Sequence, residues 1–156
     1  MAFTLLKDGE YGQRVALSDM VKIRCLDRDV LLLIGIFKDN VGKRDIMGEY
    51  YLLCVIKENA RKTMSEAIAE LLLLPEMYTG QERSTRKLLL EILGSIGGLQ
   101  TVERIQDSIP LFEKIEYIEC TDPGEFRTNS PKARRGCDMR DIESAIQRIR
   151  DRCGCA

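Results

Sequence analysis

Eight successive residues, Val30-Leu31-Leu32-Leu33-Ile34-Gly35-Ile36-Phe37, carry no polar side chain. A run that is apolar all round has to be covered all round, so it predicts a central strand buried on both faces of a sheet. Upstream, Met20-Val21-Lys22-Ile23-Arg24-Cys25-Leu26 alternates apolar and charged residues, the period of a half-buried strand, and Asp27-Arg28-Asp29 ends it. Downstream, the polar stretch from Lys38 to Glu49 leads to Tyr50-Tyr51-Leu52-Leu53-Cys54-Val55-Ile56. Its aromatic and β-branched residues fit an antiparallel neighbour, on which Tyr50 and Tyr51 point to opposite faces. Leu111 to Cys120, with Phe112, Ile115, Tyr117 and Ile118, reads as a further strand.

Between these strands the period changes. Met64, Ala67, Ile68, Leu71 and Leu72 recur at three- and four-residue steps after a cap at Thr63 or Ser65, and Pro75 stops the helix. Ser84-Thr85 caps a second helix whose Leu88, Leu89, Leu90, Ile92 and Leu93 cover most of its circumference, which makes it central and buried. Gly94, Gly97 and Gly98 break it, and Thr101 caps a short third helix that ends before Pro110. The fold class expected is therefore α+β: an antiparallel sheet packed against a buried leucine-rich helix pair, with a C-terminal amphipathic helix. Leu88, Leu89, Ile92, Leu71, Ile34 and Val55 are the expected core.

The chain divides into a single α+β domain over 1–126, a basic loop over 127–137 marked by Asn129-Ser130-Pro131 and Lys132-Ala133-Arg134-Arg135-Gly136, and a C-terminal segment over 138–156. Asp138 is placed to cap a last helix in which Ile142, Ala145, Ile146 and Ile149 form a narrow apolar stripe among Arg140, Arg148, Arg150 and Arg152. A stripe so narrow suits a groove or a second copy of the chain, so Ile142, Ile146, Ile149 and Arg148 are protein-interaction candidates, and self-association through this helix is the partner reading. The alternative is that the helix closes the protein's own core. Arg127 to Arg152 holds eight basic and four acidic residues, so the tail carries +4 and the remainder −5 of a net charge of −1.

Composition removes whole classes of chemistry. With no His, the chain cannot form a Ser-His or Cys-His pair, an imidazole acid/base or a His-ligated metal. Gly42-Lys43 is followed by Arg44 with no upstream glycine at Walker spacing. Glu66, Glu70 and Glu91 are the carboxylates an apolar setting would activate, but each also fits a solvated helix face; Cys25, Cys54 and Cys120 fall in expected strands, as core filling. The expectation is no enzyme and no cofactor. Cys153-Gly154-Cys155-Ala156 has the length and last residue of a prenylation box, without its aliphatic middle, which makes Cys153 a lipidation candidate. Cys137, Cys153 and Cys155 lack a fourth ligand for closed zinc. Gly94-Ser95-Ile96-Gly97 between helices has the order of the GxxG loop with which KH domains clamp a single strand, so Gly94, Gly97, Lys132, Arg134 and Arg135 are candidates for the alternative of a single-stranded RNA module. The basic cluster beside Ser130-Pro131 also suits nuclear import or a phosphorylation-tuned segment. The N-terminus has no signal-peptide pattern, no apolar run approaches the roughly 18 residues of a membrane span, and six unframed cysteines suit reduced thiols; the expected location is cytoplasmic or nuclear.

Arg14-Val15-Ala16, Ile23-Arg24 opening a strand, Pro75 with Gly80 ahead of a long helix and Ile96-Gly97-Gly98-Leu99 closing it are points at which the stretch from about Arg14 to Leu99 resembles the effector domain of the influenza-type nonstructural interferon antagonist. That resemblance implies a sheet around one long helix and a small viral accessory protein that antagonises a host response through protein contacts. The chain has no Trp, the residue such domains use at their binding surface and dimer contact, so no binding residue carries over. The order sheet, helix, helix, strand is also similar to one half of paramyxovirus-type matrix proteins, which implies a matrix-like structural role as a further alternative.

Overall fold

The charged triplet Asp27-Arg28-Asp29 begins an element instead of ending one. In the computed structural model, which describes residues 26–42, 46–79, 83–116 and 131–154 (of 46–47 and 131–134 only the backbone), helix α1 spans Asp27–Asn40. The Asp29 carboxylate accepts the Leu26 N–H at 3.0 Å, acids occupy the first turn and Lys38 the last, which suits the helix dipole at both ends. The apolar run lies inside this helix, burying Val30, Leu33, Ile34, Ile36 and Phe37 on one side. Helix α2 spans Ile46–Asn59 and buries Leu52, Leu53, Val55 and Ile56. Those buried positions follow the three- and four-residue rhythm of a helix despite their β-branched and aromatic composition.

The expected sheet is thus replaced by a helical hairpin, and there is no strand among the described residues. Residues 20–25 and 117–120 of the expected strands lie outside the described residues, while Leu111–Glu113 close a helix. The α+β class is corrected to all-α. A fully apolar run has no period of its own, and burial on a helix face satisfies it as well as burial in a sheet.

The stretch from Lys62 is a 3₁₀ turn (Lys62–Met64), helix α3 (Ser65–Ala69) and a second 3₁₀ turn (Glu70–Leu73), with Met64, Ile68, Ala69, Leu71 and Leu72 buried. Leu74 is extended, as the residue before a proline prefers, and Pro75–Tyr78 forms another 3₁₀ turn. Helix α4 spans Arg83–Ile96, α5 Leu99–Glu113 and α6 Pro131–Cys153. Pro110 does not stop α5, because its exposed position near the C-terminal end costs the helix one hydrogen bond and no packing. Thr101 does cap α5, from inside: its hydroxyl accepts the N–H of Gly98 at 3.0 Å.

Helix α4 is the centre. It packs on α2, α3 and most extensively on α6, while α5 covers α6 and the Glu70–Leu73 turn, and α1 pairs with α2. All six expected core residues are buried, Leu89 completely. Truncating Leu89 or Ile92 to Ala leaves a cavity that α4's neighbours cannot fill, at a cost of about 2 to 5 kcal/mol. Chemical denaturation measures this, and an unchanged midpoint in both variants would remove α4 from the core.

Candidate functional site

Helix α6 begins earlier than its capping residue suggested. Residues 131–137 of the expected basic loop are its first turns, with Pro131 at the helix start, where a missing N–H is no loss. Asp138 is therefore no cap; it sits on the buried side, one turn before Ile142 on the stripe that continues through Ala145 and Ile149. Its carboxylate meets Arg86 of α4 at 3.2 Å. Arg86 is wholly buried and its guanidinium also donates to the carbonyls of Met77 at 2.8 Å and Thr79 at 2.7 Å, while lying 5.8 Å from the centre of the Phe112 ring. Arg83 approaches the other Asp138 oxygen at 3.8 Å and Asp141 at 3.6 Å. Neither Arg86 nor Asp138 was singled out from sequence as a core residue. The available signal was position: each continues an apolar helix face by one turn, Arg86 ahead of Leu89 and Leu93, Asp138 ahead of Ile142.

This network is structural. An arginine without solvent or its counter-ion is severely destabilising, so Asp138→Ala should cost about 3 to 5 kcal/mol, whereas Arg86→Met combined with Asp138→Leu should cost less than either single change. A double-mutant cycle by urea denaturation checks it. Above the network, Tyr78 donates to the Leu72 carbonyl and its ring meets Phe112 edge-on at 5.1 Å. Burial pushes its hydroxyl up to about 12, against weaker lowering by a Ser108 hydrogen bond and the Arg86 charge. Because the unfolded phenol ionises first, folding should lose roughly 2 to 3 kcal/mol as pH rises from about 10 to 12. Tyr78→Phe should lack that share of the alkaline loss, which stability curves at pH 9 and 12 would read out.

The sequence candidates are dispersed. Ile142, Ala145 and Ile149 are buried against the protein's own core and Ile146 is half-buried, so the α6 stripe closes the monomer and is not an open docking face. The two helices run the same way, meeting at Arg86 with Asp138 and again at Gly94, where a Cβ would stand 3.4 Å from both Ala145 Cα and Arg148 Cδ. Gly94 and Gly97 are accordingly packing and turn residues: a Cβ on Gly97 would lie 2.6 Å from the Leu93 carbonyl. The carbonyls of Gly94, Ser95 and Gly97 all accept from the Arg152 guanidinium, which finishes the C-terminus of α4. A loop so occupied differs from a phosphate clamp, whose glycines leave the backbone open to a ligand. Arg135 and Arg148 are exposed on α6; the side chains of Lys132 and Arg134 lie outside the described residues.

The catalytic candidates are tied up or far apart. Glu91 pairs with Lys57 at 3.2 Å and Glu66 with Arg104 at 3.8 Å. Glu91 and Asp141 share a groove of about 190 Å³ between α4 and α6 with Lys87 and Arg148, below the roughly 300 Å³ at which small-molecule sites begin. Desolvation raises the Asp141 carboxyl there, opposed by Arg83 and Lys87. A wider depression of about 370 Å³ where α5 begins is bounded by Lys62, Glu66, Leu99 and Cys153. Cys54 is half-buried in α2, Cys25, Cys120 and Cys155 lie outside the described residues, and Cys137 accepts from Arg140 at 3.1 Å. Cys137 and Cys153 stand sixteen residues apart on α6, about 24 Å at 1.5 Å per residue, too far to share a metal. Among the described residues no group of His, Cys, Asp and Glu is arranged to hold a metal, and no helix is long and apolar enough to cross a membrane.

One surface feature had no place in the sequence reading. Leu31 and Leu32 are 51% and 41% exposed at the middle of α1, in the run expected to be covered on every side. Gly35 follows one turn later between them, and a Cβ there would meet nothing within 4 Å, so the leucines flank a dip in the helix surface. Arg28 stands a turn before, Lys38 and Asp39 a turn after, all exposed. Leu26 and Leu99 are the other large exposed apolar residues described, 55% and 52%.

No family model, curated protein or solved structure matches this chain. Of the strings that carry the likeness to interferon-antagonist effector domains, Arg14-Val15-Ala16 and Ile23-Arg24 lie outside the described residues; the sheet that this likeness and the matrix-like one imply is replaced by helices among the described residues, and no match supports the viral, interferon-antagonist or matrix-like descriptions.

Proposed function

We propose that this chain is a non-catalytic protein-interaction module that docks through the solvent face of α1. The observation that carries the reading is the pair of adjacent leucines, Leu31 and Leu32, left in water beside a protein core that buries Leu33 completely. Covering two half-exposed leucines returns on the order of 1 to 3 kcal/mol, enough to anchor a contact and too little to hold one without its polar surroundings. The ion pairs of Glu66 and Glu91, together with the missing histidine, support a role in binding over one in bond chemistry. The six cysteines, spaced without the framework of small secreted domains, suit a reducing compartment, the cytoplasm or nucleus.

A photo-reactive phenylalanine analogue installed at Leu32 of the full chain tests the reading in the cells that make it. Protein adducts should form at that position in clear excess over the same analogue at the exposed Glu103 on α5. Equal adduct yields at the two positions would overturn the assignment of α1 as the docking face.

A further inference from the structure

We infer that the partner on α1 is a second copy of the chain, paired antiparallel about a two-fold axis at the level between Leu33 and Ile34; this rests on the docking role of α1. The exposed arc of α1 is self-complementary only in that orientation. Turned end for end about that level, Arg28 faces Asp39 of the second copy and Leu32 faces its Gly35. Each contact then occurs twice, as an isologous interface demands. A parallel pairing would instead set Arg28 against Arg28 and Asp39 against Asp39, and would align the two helix dipoles unfavourably.

The surface is prepared for this. Gly35 leaves open space where any other residue would carry a Cβ, and Leu31 and Leu32 of one copy match the dip in the other. Within the described residues neither Lys38 nor Asp39 has an ion-pair partner. Arg28 reaches only its neighbour Asp29, at 3.8 Å and with its own side chain 82% exposed, a contact weak enough to be exchanged. One exposed helix face offers less than the about 1,200 Å² of a standard interface, so the dimer is a weak, reversible one.

Sedimentation of the full chain over a wide concentration range is the test. The wild type should move reversibly from one chain toward two as concentration rises. Arg28→Asp and Asp39→Arg should each weaken the dimer on the order of tenfold, because each converts two attractions into two repulsions, and the double exchange should restore it. Gly35→Leu, which fills the dip without meeting its own fold, should abolish it. A dimer indifferent to all of these changes forms elsewhere and overturns the proposal, as does a chain that stays monomeric throughout. In the monomeric case the stability of a Leu31→Glu, Leu32→Glu variant separates this proposal from the reading beneath it. An unchanged melting temperature leaves the face open for a different protein, so only self-pairing fails. A large loss of stability shows that the chain's own fold needs this face covered, and both fail.

Discussion

Removing a guanidinium and a carboxylate from water costs several kcal/mol each, and the contact between Arg86 and Asp138 offsets that cost only while both are held in place. The surrounding structure supplies the holding. Carbonyls of Met77 and Thr79 accept from one terminal nitrogen of Arg86 while Asp138 takes the other, Phe112 lies against the guanidinium, and Arg83 shares Asp138 from outside. Four separate parts of the chain, the turn after Pro75, α4, α5 and α6, therefore meet at one charge. A hydrophobic contact would tolerate sliding of α6 along α4, but this one does not. With Asp138 fixed, the following turns place Ile142, Ala145 and Ile149 in the core, and the last turn brings Arg152 to the exposed carbonyls of α4. The α4 and α6 pair is a greasy seam with a polar clamp at each end.

What was legible in the sequence follows from which segments carry a period. The residues around Leu71 and the leucines of α4 repeat at helical spacing with polar residues between, and their helices and core positions follow from that rhythm. The run from Val30 to Phe37 has no polar residue to set a phase. It fits a covered strand and a helix face equally, and only its flanks, with acids at 27 and 29 and Lys38 at the end, distinguish the two. Tyr50 to Ile56 misleads by composition, since its β-branched and aromatic side chains pack as well on the buried side of α2. In α6 the narrow stripe is visible in the sequence, but reading Asp138 as a cap makes it one turn too short. Counted as a buried position, it carries the same line of contact back to Arg86. The exposed leucines of α1 were hidden by the assumption that an apolar run must be covered, which holds for a strand at the centre of a sheet and not for a helix at the edge of a bundle.

The GxxG string shows how one sequence pattern can answer to a different physical demand. Gly94 is small because α6 crosses there, and Gly97 because the chain folds back onto the Leu93 carbonyl. The basic group that a nucleotide clamp would direct at a phosphate is present as Arg152, yet it satisfies the protein's own carbonyls.

The separation of Arg86 and Asp138 by 52 residues sets an order of events during synthesis. At the usual 5 to 20 residues per second, a newly made α4 exists for about 3 to 10 seconds before its counter-charge has been polymerised. During that interval the leucine side of α4 carries an uncompensated cation, which opposes burial of the side chains next to it. The helical hairpin of α1 and α2 can pair early, but the centre of the bundle closes only on arrival of α6. A message or protease cut that removes α6 thus leaves a chain with most of its apolar residues and no means of burying its central helix, a natural substrate for chaperones and degradation.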